Sequence, residues 1–267
     1  MSQTWNDARG QFGYEYDLRD YDSEVGRQKR MDYERAHQNI GLDVHGHQGF
    51  FQLHGNDISA NTVLETHFQD HARESVEAYY EIMFWKEPMV FRAARMIHNL
   101  REMNTPPAEI FKAGETFIDG LEQQSFERFT ELCGIKGTGL AVPSAILCSI
   151  NPEKMPIVDM WVARWVNAYH QEYEGLVPFD DFNSQCLRKQ EIMRENAERA
   201  EQERQIVPQP IVSAKDFESY RKWILWTRKY AEVLTAHTKT KWRARDVEMA
   251  VFTAHQMKMK LPVLSKL

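Results

Sequence analysis

The stretch Gly134-Ile135-Lys136-Gly137-Thr138-Gly139 constrains this chain more tightly than any other six residues in it. It follows a segment with Phe126, Phe129 and Leu132 on one helical face, and it precedes Val142-Pro143-Ser144-Ala145-Ile146-Leu147. Glycines at 137 and 139 permit backbone angles closed to other residues, so the chain is predicted to reverse tightly between two helices. Pro143 is compatible only with the first turn of the second helix, where its missing N–H is harmless. Ser144 and Ala145 are small enough to let helices approach closely. The expected product is a helical hairpin whose glycine turn presents successive backbone N–H groups at a helix N-terminus. Such a nest attracts phosphate without needing a lysine. A loop with Pro152 and Pro156 then leads to Asp159, which opens the next helix ahead of Met160, Trp161, Val162, Arg164 and Trp165.

Helical periodicity dominates the rest of the chain from Ser59 onward. Val76, Tyr79, Tyr80, Met83 and Phe84 recur at three- and four-residue spacing up to Pro88, and Val90, Ala93, Ala94, Ile97 and Leu100 repeat the pattern up to Pro106-Pro107. Further helices are expected over 108–117, 125–133, 142–150, 159–173, 216–236 and 245–257. No strand-like alternation of any length and no internal repeat is present, so the predicted fold class is all-α. Residues 1–57 are rich in Tyr, Asp, Arg, Gly and His without a sustained period, and they read as an irregular N-terminal arm before a helical domain at 58–267. The run from Leu187 to Gln205 is almost wholly polar and reads as a solvated, charged helical insertion.

Composition narrows the classes of function. With 267 residues, 42% apolar and 27% charged, the chain has the make-up of a globular protein. It has no apolar run of membrane-spanning length, and its polar N-terminus lacks a signal-peptide core, which predicts a cytoplasmic location. Cys133, Cys148 and Cys186 lie far apart and form no CxxC pair, which argues against a disulfide framework and a cysteine-based metal or iron–sulfur centre. His45, His47 and His54 have no Cys or acidic cluster at ligand spacing, so no metal and no cofactor is expected. The net charge of −6 is unusual for a nucleic-acid binder, but the charge is unevenly placed and basic residues dominate from Lys215 onward.

The hydrophobic–x–Gly–x–Gly turn, the small-residue helix, the Pro-containing loop and an Asp at a helix start together resemble the helix-hairpin-helix DNA glycosylases. The spacing from hairpin to Asp159 is similar to the endonuclease III-like pattern without a gap. PSAIL followed by NPEKMPIVD looks closer still to an uncharacterised prokaryotic branch of that superfamily, in which a helix containing Trp-Lys precedes the hairpin, as Trp85-Lys86 does here. A final helix of that branch is matched by Arg245-Asp246-Val247-Glu248-Met249-Ala250. The resemblance covers residues 70–255 and is strong over 132–166. It implies that Asp159 is the catalytic carboxylate, that Ile135, Gly137 and Gly139 form the DNA-binding hairpin, and that Arg164 matches an arginine common one turn beyond the aspartate. Lys136 and Thr138 inside the turn are further candidates for DNA phosphate, although a solvated loop lysine and a plain helix C-cap and turn are the simpler readings of these residues. Two departures matter. Ala141 stands where bifunctional relatives place their Schiff-base lysine, so lyase activity through that position is not expected. The four-cysteine iron–sulfur cluster of some relatives is also missing.

What the resemblance implies is a monofunctional DNA glycosylase, monomeric, that hydrolyses the N-glycosidic bond of a flipped, damaged or modified base during base excision repair. A carboxylate near the sugar stabilises the oxocarbenium-like state and orients or deprotonates water, and an aromatic pocket receives the extruded base. Trp161, Tyr80 and Trp85 are the candidates for the base pocket, Trp161 foremost because it lies in the first turn beyond Asp159, although helical spacing makes core packing the default role for each. Asp is also a preferred helix N-cap, which needs no catalytic reason. Lys239, Lys241 and Arg243 around Trp242 suit a phosphate-binding loop, or an ordinary exposed connection. Two alternatives stand beside the glycosylase. One is a non-catalytic DNA-binding hairpin module, and the other is a same-fold enzyme acting on another N-glycosidic or modified-base substrate, for instance in phage–host conflict.

Overall fold

Apolar stripes at helical spacing are satisfied only by packing helix against helix, and the computed structural model contains eleven α-helices and no strand among the described residues. Those residues are 2–12, 57–87, 90–199, 203, 205–206 and 211–264. The elements are α1 (Ser2–Gly10), α2 (Asp57–His71), α3 (Glu77–Lys86), α4 (Val90–Met103), α5 (Pro107–Gly120), α6 (Gln123–Leu132), α7 (Ala141–Ile150), α8 (Met160–Tyr169), α9 (Asp180–Glu198), α10 (Ala214–Thr238) and α11 (Ala244–Gln256). Two helices are sheathed by the others. Every residue of α7 from Val142 to Ile150 is buried, with α2, α3 and α5 around it. Every residue of α11 from Ala244 to Ala254 is buried, with α1, α8 and α10 around it. A helix that is apolar all round belongs inside, and α7 (AVPSAILCSI) reads that way from its letters alone.

Aromatic side chains join the two groups. Phe117 of α5 and Phe126 of α6 pack on Phe217 and Tyr220 of α10 at ring separations of 5.6–6.4 Å. The connection from α7 to α8 is clamped from four sides. The Ser144 hydroxyl accepts from the Val158 N–H at 3.0 Å, and the Trp223 indole donates to the Ile157 carbonyl at 3.3 Å. Arg228 donates to the Lys154 carbonyl at 2.8 Å, and the Ala244 and Arg245 N–H groups donate to the Glu153 and Pro152 carbonyls at 3.1 Å each. The start of α11 thus finds acceptors for two of its orphan donors in this loop.

Two expectations are corrected. Residues 2–10 are not irregular: α1 packs on α11 and α10, with the Trp5 ring 4.9 Å from Tyr230 and its N–H donating to the Pro262 carbonyl at 2.9 Å. The rest of the arm, with His45, His47 and His54, lies outside the described residues. The charged stretch is helical and mostly exposed through its described part, but it is no separate insertion. It continues α9, which begins at Asp180 and packs on α8 and α10, and within the stretch Ile192 and Asn196 are buried. Its start is tied to the Ser213–Asp216 capping box of α10, because the Phe182 N–H donates to Asp216 at 2.8 Å and Ser213 donates to Asp181 at 3.1 Å.

Candidate functional site

The hairpin turn is built by two glycines with different tasks. Gly134 takes φ +66° just beyond α6, and the Gly134 and Ile135 N–H groups return to the Glu131 and Thr130 carbonyls, the bond pair of a Schellman cap. A Cβ on Gly134 would stand 2.7 Å from the Leu100 backbone nitrogen, so the turn also lies tight against α4. Gly137 takes φ +82° in a turn closed by the Thr138 N–H on the Ile135 carbonyl at 3.1 Å. Gly139, expected to share this role, has no positive φ. Ile135 is buried and its N–H is spent within the cap, so it anchors the turn and offers phosphate nothing. Thr138 turns its hydroxyl onto the Ile135 carbonyl at 2.8 Å, and Lys136 pairs with Glu131 at 3.2 Å on the surface. Among the described residues nothing accepts from the backbone N–H groups of Gly137, Gly139 and Leu140. These donors, with the Lys136 N–H that likewise has no acceptor among the described residues, are what the turn has to give a phosphate oxygen.

Asp159 is both helix cap and buried ion. Its Oδ1 accepts from the Trp161 and Val162 N–H groups at 2.9 and 3.0 Å, closing the first turn of α8. Its Oδ2 accepts from the Lys86 ammonium at 3.0 Å, with side chains only 10% and 4% exposed. Burial pulls the Lys86 ammonium below its usual range, while Asp159 pulls it back. A removed partner would leave a buried charge, so this pair is costly to break. Beside it, Arg245 pairs with Glu248, itself wholly buried, and the second carboxylate oxygen of Glu248 has no hydrogen-bond partner. Trp85, Ile157 and Arg245 wall a narrow crevice over Cys148 and Ser149, with room for water but not for a nucleobase.

Trp161 is the one partly exposed aromatic of the three expected at a base pocket. Its ring lies 5.2 Å from that of His255 and 5.4 Å from the Arg164 guanidinium carbon, and Arg164 donates to the Gln190 amide oxygen at 2.5 Å. Burial and then the Arg164 charge press the His255 imidazole below its usual pKa. Trp85 is buried in the crevice wall. Tyr80 is buried in the first turn of α3, facing Arg101 and Glu77 electrostatically, with Lys86 at the other end of the helix. Neither therefore forms an open pocket with Trp161.

The loop at 239–243 is a structural joint. Trp242 is buried under Arg9, whose guanidinium lies 4.2 Å from the ring centre, so it is no stacking platform for a strand. Arg243 caps α11 and is bound to Glu65 at 2.5 Å and to Asp246 at 3.2 Å. Lys239 ends α10 in the left-handed conformation, and Lys241 reaches Glu153 at 2.6 Å. Glu153 follows the C-terminus of α7, whereas the glycine turn precedes its N-terminus, about 15 Å away along the helix. The two basic features do not form one surface patch.

Sequence reasoning missed Lys86, Lys189, Gln190 and His255 as site residues. A lone cation closing the apolar helix EAYYEIMFWK was a usable signal for Lys86. Nothing marked Lys189 and Gln190 inside a polar run. Lys189 is half-buried, its ammonium pulled down by burial, with Glu87 and Arg92 as its charged neighbours. Cys186, one turn earlier on α9, is pushed up to about 11 by burial, and Cys148 up to about 12, so both are inert thiols. Among the described residues no group of three or more His, Cys, Asp or Glu is placed to hold a metal, and no helix is long and apolar enough to cross a membrane.

No family model matches the chain, and no curated protein or solved structure matches it.

Proposed function

We propose that this protein is a monofunctional DNA glycosylase with Asp159 as the carboxylate that stabilises positive charge on the sugar. The observation that carries the reading is how Asp159 is held. Two backbone N–H groups and a buried ammonium fix both oxygens, and the loop before it is pinned by Ser144 in the first turn of α7. That is the same end of α7 at which Gly137, Gly139 and Leu140 offer unspent N–H groups. A phosphate seated on the turn would anchor the strand, and a nucleotide swung from it would meet Trp161 and the carboxylate. Cap and catalyst are compatible roles, since the cap supplies the rigidity that charge stabilisation needs.

The test is base release, followed by mass spectrometry, from duplexes carrying alkylated, oxidised, deaminated and hypermodified bases, with wild type and Asp159→Asn in parallel. Asn keeps the cap and removes the charge but leaves the buried Lys86 ammonium without its partner, so the variant is first shown to fold by a thermal melt. Release is then expected to fall by about two orders of magnitude or more while DNA binding persists. A second reading is favoured by the Lys86 pairing, which satisfies Asp159 as a purely structural group would be satisfied. In that case the hairpin is a DNA-binding module, and duplex would be bound with no base released from any substrate.

A further inference from the structure

A chain with a surplus of acid binds a polyanion only where its surface is locally basic, and α4 supplies such a surface beside the glycine turn. Its sequence, VFRAARMIHNLREM, carries three arginines and one histidine against one glutamate, in a chain of net charge −6. Ala93, Met96, Ile97 and Leu100 form its buried side. Helical spacing then places Arg95, His98, Asn99 and Glu102 on the opposite side, where all four are exposed.

This face meets the turn directly. The Asn99 amide donates to the Gly134 carbonyl at 3.3 Å, and a Cβ on Gly134 would stand 2.7 Å from the Leu100 nitrogen and 3.1 Å from the Asn99 Cβ. The unspent N–H groups of Lys136, Gly137, Gly139 and Leu140 follow at once in the chain. Arg95 lies one helical turn from Asn99, about 6 Å along the axis. At its other end α4 begins at Val90, only residues 87–89 beyond Lys86, and α3 and α4 pack on each other. One helix therefore runs from the turn to the element whose last residue holds Asp159.

The cations of this face are unspent, unlike others on the surface. Lys136 is bound to Glu131, Arg73 to Glu115 and Lys154 to Asp119. Among the described residues Arg95 and His98 have neither a hydrogen bond nor an ion pair. Glu102, the one carboxylate of the face, stands on the far side of Asn99 from Arg95, so an anion is drawn towards the Arg95 end. We propose that the exposed face of α4 is a second phosphate contact, in which Arg95 and His98 hold the DNA backbone beside the phosphate seated on the turn. Asn99 positions the two contacts by tying the helix to the turn. This inference rests on the reading of the turn as a DNA anchor and is independent of base release.

Binding is measured by fluorescence anisotropy on a labelled duplex holding a tetrahydrofuran abasic-site analogue, over a series of potassium chloride concentrations. For wild type the logarithm of the affinity should fall linearly with the logarithm of the salt concentration. Arg95→Gln should flatten that slope by about 0.9, the share of one phosphate contact, and Arg95→Lys should restore it. The thermal midpoint of Arg95→Gln should match that of wild type, as expected for an exposed side chain without a partner. Lys241→Gln, at the opposite end of α7, should leave the slope unchanged. An unchanged slope in Arg95→Gln would overturn the inference, give the face to solvent or to a protein partner, and leave the turn as the anchor. Equal flattening by Arg95→Gln and Lys241→Gln would also overturn it, because diffuse charge would then explain the binding. A wild type that binds no duplex even at low salt would overturn the inference together with the DNA reading of the turn.

Discussion

The two ends of α7 look alike in their basic residues and differ in how those residues are spent. At the N-terminal end one exposed lysine and three glycines make a turn in which the Gly137, Gly139 and Leu140 N–H groups are unspent, next to a carboxylate held by a buried ammonium. At the C-terminal end Lys239, Lys241 and Arg243 surround an aromatic residue in the pattern of a phosphate-binding loop. There Trp242 is core, Arg243 is a helix cap shared with Glu65, and Lys241 faces Glu153. The lesson concerns where charge is worth something. A cation in water beside an acid contributes little, while one deprived of water governs both stability and what can approach it.

The sharpest way to break this contrast is to remove one lysine from each end. Lys86→Ala leaves Asp159 buried without its cation and should cost about 3–5 kcal/mol, read as a lower urea midpoint with an unchanged slope. Replacing both partners with apolar residues of similar size should recover much of that loss. Lys241→Ala removes an ion pair whose side chains are 74% and 47% exposed, and it should change stability by less than about 1 kcal/mol, vanishing in high salt. Equal effects at the two ends would mean that the Lys86–Asp159 pair is solvated.

The glycines sharpen the picture of the N-terminal end. Gly134 has a positive φ and no space for a Cβ, because the backbone of Leu100 is 2.7 Å from where that atom would sit. Gly134→Ala should therefore cost about 2 kcal/mol or more, and Gly139→Ala less than about 1 kcal/mol. Thermal melts of the two variants give the comparison directly. A Gly139 variant as damaged as the Gly134 variant would mean that the turn is held at the wrong glycine.

This difference shows what could be read in advance. That a turn joins two helices here followed from the glycines and Pro143, and that Asp159 opens a helix followed from its chemistry. Which glycine is indispensable depends on how close α4 comes, and a turn's own sequence carries no record of a neighbour 34 residues earlier, as Leu100 is to Gly134. Lys86 is hidden for the same reason, lying 73 residues from the aspartate it binds. The helices were legible because apolar period reports burial. The same logic is less informative at α9, where Asn196 is buried and Lys189 and Gln190 are half-buried, so an apolar pattern alone does not mark the packed face. At α1 three apolar residues, Trp5, Ala8 and Phe12, dock a helix too short to show a period.

The smallest effect separates the two ends by pH rather than by salt. The His255 imidazole is held below its ordinary value of 6.5, first by burial and then by Arg164, with Asp159 opposing. Between the folded value and 6.5 the unfolded chain binds the proton more readily, so stability rises with pH across that window. The contribution is fully present above 6.5 and is lost as the pH falls through the folded value. His255→Gln removes the titrating group, so the fall in stability on acidification from about pH 7.5 should be shallower than in wild type. Near neutrality the two proteins should differ little. High salt should leave the difference in slope largely in place, because its main cause is desolvation, whereas it abolishes what Lys241 contributes at the other end. Identical acid profiles for the two proteins would place His255 in open solvent and detach it from the wall of the site around Trp161.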